Sequence, residues 1–132
     1  NTSHQWFMES MFKFAGKNVS LLPIDHHELA ALIAPRALLV LGNPDYEWLA
    51  EKSDYVSCRA AHKVWETFGI GDRMGFSIRG GHMHCSLPKE QYPDVEAFVD
   101  KFLLGKKNVN TDIAKASMFT DVDYMQWMPW AK

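Results

Sequence analysis

The pattern of apolar and polar residues predicts two helices before the first strand. Residues 6–14, WFMESMFKF, cluster their apolar side chains at helical spacing and predict a short helix that ends at Gly16. Asp25 precedes Glu28 by three residues, a capping-box variant that begins the helix HHELAALIA with a cap worth about 1 kcal/mol. Pro35 ends this helix, because proline has no amide hydrogen and restricts the residue before it.

Two short segments predict strands, and each is followed by a helix. ALLVLG at 37–42 is typical of a strand buried on both faces, and RMGFSI at 73–78 predicts a second strand. Residues 53–68 predict a helix between them, with an apolar face that holds Cys58, Ala61, Val64, Trp65 and Phe68. An amphipathic helix follows Pro93, with an apolar face of Val95, Phe98, Val99, Phe102 and Leu103. We expect the aromatic residues of the terminal YMQWMPW to pack on this body.

The order of these elements predicts the fold class. Strand, helix and strand with buried strands indicate a right-handed parallel crossover, and hence an α/β fold. Two strands alone would leave unpaired edges and uncovered apolar faces, which native sheets avoid. We therefore expect residues 1–132 to be the C-terminal portion of a larger α/β domain, with two parallel strands and flanking helices in an incomplete sheet. An upstream segment or another chain would supply the rest.

Composition narrows the class of protein. The 132 residues have a length typical of one domain, and 47% apolar residues require a sizeable core. The net charge of −2 and the scattered Lys and Arg residues offer no basic face, so we expect no nucleic-acid partner. No apolar run approaches the roughly 18 residues that span a bilayer, so we expect no membrane partner. The first residues, NTSHQWF, lack the features of a signal peptide, and two cysteines leave the compartment open.

Candidate chemistry follows the two predicted strands. In parallel sheets the functional loops lie beyond the carboxyl ends of the strands. The loop at 43–52 offers Asp45, Glu47 and Trp48, and the loop at 80–88 offers His82 and His84. A carboxylate after one strand and a histidine after the next is the order of an α/β-hydrolase, in which the nucleophilic serine comes earlier. The paired glycines at 80 and 81 permit the sharp turn that brings an imidazole to the nucleophile.

Two other interpretations of GGHMHC stay open at this point. A small zinc-binding module would need three or four converging ligands. His82, His84 and Cys85 are too close together in the chain to provide a full set, and the histidines of DHH at 25–27 begin a helix. The histidines would otherwise be ordinary turn residues, although their position after a buried strand argues against that.

The segments LPIDHHELAALIAPRALLVLGNPDYEWL, MGFSIRGGHMHC and FLLG together resemble the C-terminal part of the glucuronoyl esterases. The WF near the start and the terminal Trp-Pro-Trp-like segment extend the similarity over most of the chain. The resemblance implies the three-layer α/β-hydrolase sandwich and a secreted serine esterase that needs no metal or cofactor. Its implied substrate is the ester between glucuronic acid of xylan, often 4-O-methylated, and alcohols of lignin.

The same resemblance implies roles for individual residues. His84, directly before the cysteine of the motif, is the implied catalytic histidine, and Trp48 is the implied lining of the sugar pocket. Asp45 is the favoured local candidate for the catalytic acid and Glu47 the alternative; many family members use a glutamate outside the matching segment instead. The family's G-C-S-R-x-G-K nucleophile segment has no counterpart in this sequence. A pocket glutamate of fungal relatives falls on Ser3 and does not carry over.

Two further implications concern the cysteines and the chain as a unit. In family members the cysteine that matches Cys85 bonds to one before the serine, and the one that matches Cys58 also has an upstream partner. Both are therefore expected to be unpaired here. The alternative function is a catalytically silent fragment that complements the missing N-terminal part of the same protein. His26, His27 and Glu28 are assigned to capping and to structural contacts.

Overall fold

A computed structural model describes residues 7–131 of the chain. Two 3₁₀ helices, Glu9–Phe14 and Gly16–Leu21, stand where the sequence predicted one short helix. The α-helices and strands, in chain order, are α1 His26–Ala31, β1 Leu38–Gly42, α2 Glu51–Thr67, β2 Met74–Ile78, α3 Tyr92–Phe98 and β3 Ala114–Lys115. A π-helical turn, Val99–Leu103, continues α3. Trp6, the first residue of the predicted first helix, and Ser3 lie outside the described residues.

The sheet is parallel and has the order β1–β2–β3. Leu38 of β1 pairs with Met74 of β2, and Phe76 of β2 pairs with Ala114 of β3. The parallel pairing of β1 and β2 confirms the predicted crossover. The third strand was missed, because two residues within a polar tail carry no periodic signal.

The predicted burial of the first strand on both faces is wrong. Leu41 in β1 is 40% exposed, whereas all five residues of β2 are buried. In the described part of the chain, β1 has a strand partner along one edge only, while β2 lies between two strands. The central position of β2 therefore accounts for its complete burial.

The core lies between α2 and β2. It contains Tyr55, Cys58, Ala61 and Trp65 from the helix and Met74, Phe76 and Ile78 from the strand. The fully buried Trp65 indole donates a hydrogen bond to the Arg36 carbonyl oxygen at 3.0 Å, which satisfies its only polar atom. The prediction that Phe68 belongs to this face is wrong: α2 ends at Thr67, and Phe68 is 65% exposed.

The first α-helix forms as its capping sequence predicts. The Asp25 side chain accepts a hydrogen bond from the His26 amide at 2.7 Å, and the Asp25 amide donates to Glu28 at 2.8 Å. The tail returns to the body, since Met128 is 1% exposed and the Tyr124 ring lies 6.0 Å from the Tyr55 ring. No helix between residues 7 and 131 combines the length and the apolar character that a bilayer crossing requires.

Candidate functional site

A cavity of about 630 Å³ opens at the carboxyl end of β1, where the loops after β1 and β2 meet. We name it the histidine cavity. It is lined by Gly42 and Asn43 after β1, by His82 and His84 after β2, and by Glu51 at the start of α2. The meeting of these two loops is the arrangement that the parallel order of β1 and β2 requires.

The two loops are joined by a hydrogen bond between Asp45 and Gly81. The Gly81 amide donates to Asp45 Oδ2 at 2.5 Å, and Gly81 has a φ of +85°, a conformation that favours glycine. A Cβ atom at Gly80 would collide with the Asp45 carboxylate. The paired glycines therefore have separate roles: Gly80 admits the carboxylate, and Gly81 turns the chain beneath it.

His82 stabilises the loop from within. Its Nε2 lies 2.8 Å from the Arg79 carbonyl oxygen, and its Nδ1 lies 3.3 Å from the Asn43 side-chain nitrogen. With the proton on Nε2, the ring donates to Arg79 and accepts from Asn43. Asn43 also donates to the His82 carbonyl oxygen at 3.0 Å. These contacts occupy both ring nitrogens of His82, so of the two histidines in this loop His84 is the one available to a ligand.

His84 lies half-buried at the rim of the histidine cavity, against two aromatic rings. The ring centroids of Tyr46 and Trp48 lie 5.5 and 5.1 Å from the imidazole. The His84 amide donates to the Tyr46 hydroxyl at 2.9 Å, so both the backbone and the ring are held. The thiol of Cys85 lies 3.1 Å from His84 Nδ1 and 3.8 Å from Nε2.

The predicted acids occupy different places. Asp45 lies in the loop that faces His84, but its carboxylate accepts from the Gly81 amide, and its own amide donates to Asn43 Oδ1 at 3.1 Å. Glu47 is exposed and begins a 3₁₀ turn, Glu47–Leu49. Between residues 7 and 131, no carboxylate lies within 4.0 Å of a His84 ring nitrogen.

Trp48 is 61% exposed, and its ring is tilted by 48° to the His84 ring at a centroid distance of 5.1 Å. An indole in this position offers a flat apolar surface beside an imidazole, which suits the apolar face of a sugar ring. Sequence reasoning missed Tyr46 and Asn43. Their only signal is the position directly after a strand, shared by every residue of that loop.

The carboxylates of Glu51 and Asp54 form the floor of the histidine cavity, and the buried Cys58 thiol lies 3.8 Å from Asp54 Oδ1. Glu51 is buried, and its Oε2 has no hydrogen-bond donor in the described part of the chain. Burial and the neighbouring Glu51 raise the pKa of Asp54 to about 6. Burial and the neighbouring Asp54 raise the pKa of the Cys58 thiol well above its usual range. Cys58 is therefore a thiol rather than a thiolate at neutral pH.

The described residues, 7–131, contain neither a cluster of metal ligands nor a disulfide. Among residues 7–131, no three His, Cys, Asp or Glu side chains are placed to hold a metal ion together. The buried Cys58 and the exposed Cys85 are both free thiols. His26 lines the histidine cavity, and His27 stacks on Trp130 with the ring centroids 6.1 Å apart.

Comparisons with known proteins agree on one family. The family model for fungal glucuronyl esterases matches residues 1–69. The 4-O-methyl-glucuronoyl methylesterase of Phanerochaete carnosa is 41% identical over 127 residues, which cover 95% of this chain and 31% of the relative. The methylesterase 1 of Wolfiporia cocos is 45% identical over 84% of this chain and 27% of the relative.

Solved structures give the same result. The glucuronoyl esterase catalytic domain of Hypocrea jecorina is 44% identical, with a TM-score of 0.73 over 81% of this chain and 29% of that one. A serine-to-alanine mutant of the Sporotrichum thermophile glucuronoyl esterase, in complex with methyl 4-O-methyl-β-D-glucopyranuronate, is 34% identical, with a TM-score of 0.75 over 86% of this chain and 30% of that one. This confirms the partial α/β-hydrolase fold. The chain spans less than a third of these relatives and structures, matches the C-terminal part of the relatives, and belongs to the fungal glucuronyl esterase family.

Proposed function

We propose that the protein carrying this chain is a carboxylic ester hydrolase that cleaves glucuronoyl esters. The observation that carries the proposal is the position of His84, at the rim of the histidine cavity beside Trp48. Relatives that cover most of this chain are named 4-O-methyl-glucuronoyl methylesterases, and they support the reaction type and the glucuronate ester.

In the proposed mechanism His84 acts as general base and then as general acid. Its Nδ1 is the nitrogen closer to the Cys85 sulfur, so we assign proton transfer to Nε2. The imidazole takes the proton of a serine hydroxyl supplied from outside residues 1–132, and the serine attacks the glucuronoyl carbonyl carbon. The imidazole then protonates the leaving alcohol and activates the water that releases the acid.

Asp45 stays the proposed acid, with Glu47 as the alternative. A carboxylate near the imidazole would favour its protonated form, which develops during proton transfer. What supports Asp45 is its position in the loop that faces His84, while its bond to the Gly81 amide gives it the further task of holding that loop. Comparing Asp45→Asn with Glu47→Gln distinguishes the two: the acid is the residue whose change lowers kcat and shifts its pH profile.

Trp48 is the proposed platform for the sugar, and two finer features complete the proposal. The alcohol released is a lignin alcohol, and the glucuronate is the 4-O-methylated side group of xylan. We also propose that the protein acts outside the cell, where that polymer is found.

The alternative, in which the 132-residue chain alone is silent and complements an N-terminal part, agrees with the nucleophile coming from elsewhere and predicts no turnover by this chain alone.

His84→Ala is the decisive test of the proposed function. We expect kcat on a methyl glucuronate ester to fall by about six orders of magnitude, because removing the histidine of a triad leaves only binding and oxyanion stabilisation. The matched control is His62→Ala, which removes a histidine of α2 that contacts the Gly71 carbonyl oxygen, far from both loops. A folded His84→Ala protein with the activity of its parent would contradict the proposal.

A further inference from the structure

A second cavity, of about 660 Å³, lies at the carboxyl ends of β2 and β3. We name it the arginine cavity, after Arg59 of α2, which lines it together with Arg79, Asp94, Lys115 and Tyr124. Of the residues that line the histidine cavity, Gln91 alone also lines this one. The arginine cavity is therefore a separate site at the same edge of the sheet, which is the edge where open parallel sheets bind ligands.

Arg59 is held in place without a carboxylate. Its guanidinium carbon lies 5.2, 5.1 and 5.0 Å from the ring centroids of Tyr55, Phe76 and Tyr124, and its Nε donates to the Tyr55 hydroxyl at 3.2 Å. Between residues 7 and 131, no carboxylate lies within 4.0 Å of its nitrogens, and its terminal nitrogens have no hydrogen-bond acceptor. Three rings fix this cation, and its outer N–H groups stay available.

The other charged groups of the arginine cavity are paired. Lys115 Nζ lies 2.5 Å from Asp94 Oδ1, and an Arg79 terminal nitrogen lies 3.8 Å from Glu90. These pairs leave one positive charge over, that of Arg59. Asp94 is 3% exposed, and its Oδ2 has no hydrogen-bond donor among the described residues. A buried carboxylate oxygen without a donor is costly, so it favours a ligand that brings one.

We propose that the arginine cavity binds a hydroxy acid of the size of a sugar acid. The ligand carboxylate accepts hydrogen bonds from the terminal nitrogens of Arg59, in the paired geometry that a guanidinium offers to a carboxylate. A ligand hydroxyl donates to Asp94 Oδ2. A neutral sugar satisfies only Asp94 and a simple carboxylate satisfies only Arg59, so the site selects ligands that carry both groups.

The site differs from the proposed esterase centre in residues and in consequence. Its lining contains neither His84 nor Trp48. Binding there does not depend on ester cleavage. A uronic acid on a polysaccharide and a free hydroxy acid share the required chemistry, and ligands of different size separate the two sources.

Calorimetric titration of the protein that carries this chain tests the site. D-glucuronate is the main probe, D-glucose lacks the carboxylate, and glycolate keeps both groups without the ring. In the Trp48→Ala background, which weakens the proposed sugar pocket of the histidine cavity, we expect glucuronate to bind at least tenfold more tightly than glucose. Tighter binding of glucuronate than of glycolate supports a ligand of the size of a sugar acid, and equal binding of the two overturns that size. Glucose binding as tightly as glucuronate overturns the site.

Variants then locate the binding. Arg59→Gln is expected to weaken glucuronate binding at least tenfold, and Asp94→Asn about threefold to tenfold. Lys107→Gln, which removes the same charge away from the cavity, is the matched control. If Arg59→Gln proves unstable, Arg59→Lys replaces it: a lysine keeps the positive charge beside the three rings but loses the paired hydrogen bonds to a carboxylate, so about a threefold loss is expected.

Three results separate this proposal from the esterase proposal. Equal binding by the Arg59→Gln and Lys107→Gln proteins overturns the arginine site and leaves the esterase proposal standing. Loss of ester cleavage in His84→Ala with glucuronate binding retained supports both. Retained ester cleavage in His84→Ala overturns the esterase proposal alone.

Discussion

The histidine cavity and the arginine cavity differ in charge although they share one sheet edge and similar volumes. The first has a floor of Glu51 and Asp54, with an unsatisfied oxygen on Glu51. The second holds Arg59, whose positive charge has no carboxylate partner in the described chain. The parallel sheet provides the two openings, and the side chains that follow each strand determine what each opening can do.

The largest effect is expected from Gly80→Ala, which changes the histidine cavity. A methyl group there would displace the Asp45 carboxylate, which holds the histidine loop through the Gly81 amide. We expect a loss of about 1 to 3 kcal/mol in the free energy of unfolding, because the methyl group displaces the Asp45 carboxylate and with it the hydrogen bond to Gly81. Ester cleavage should also fall, while glucuronate binding in the arginine cavity stays unchanged. Chemical denaturation and calorimetric titration measure the two effects.

Its control is the double variant Gly80→Ala, Asp45→Ala. Shortening residue 45 removes the atoms that the new methyl group would meet, so part of the lost stability should return. Because Asp45 is also the proposed acid, activity should not return with it. A double variant that is less stable than the sum of the two single changes would show that the clash is not the cause.

How far the sequence predicts these two sites depends on how local each signal is. The capping box of α1 and the helix α2 were predictable, because both depend on residues within one or two turns. The approach of His84 to Trp48 was predictable as well, since parallel strands bring their following loops together. The bond from Gly81 to Asp45 was not, because it depends on the exact tertiary placement of two loops.

The arginine cavity escaped sequence reasoning altogether. Arg59 stands on the polar side of a helical pattern, where a cation is ordinarily solvated. Its three aromatic neighbours come from α2, from β2 and from the tail, at positions far apart in the chain. The two-residue strand β3, which brings Lys115 to the site, is too short to show a period. The site was therefore visible only once the tertiary structure was known.

The acidic floor of the histidine cavity makes the stability of the protein depend on pH. The pKa of Asp54 is raised to about 6 from 3.8, so the folded protein binds this proton more tightly than the unfolded chain does. Ionising Asp54 therefore lowers the free energy of unfolding. This loss is absent below about pH 4, grows as the pH rises from about 4 to about 6, and is complete above that interval. Asp54→Asn should therefore raise the free energy of unfolding by about 1 to 3 kcal/mol at pH 8 and by much less at pH 4.

Urea denaturation at the two pH values measures this difference. Asp121→Asn, an exposed carboxylate of the tail, serves as the control and should show no such pH dependence. Equal stabilisation by Asp54→Asn at pH 4 and pH 8 would contradict the claim that burial disfavours the charged form of Asp54. The difference in charge between the two cavities would then not rest on a buried charge at Asp54.

The smallest effect is expected from Asp25→Ala, which acts on the histidine cavity through α1. The change removes the side chain that accepts from the His26 amide, so it should cost about 1 kcal/mol in the free energy of unfolding. His26 lines the histidine cavity and is absent from the lining of the arginine cavity. KM for a glucuronate ester should therefore rise modestly, while glucuronate binding to the arginine cavity stays constant.

Asp25→Asn keeps a capping oxygen and should restore most of the stability, because asparagine caps helices about as well as aspartate. An equal loss in both variants would mean that the negative charge, rather than the cap, supports this side of the cavity.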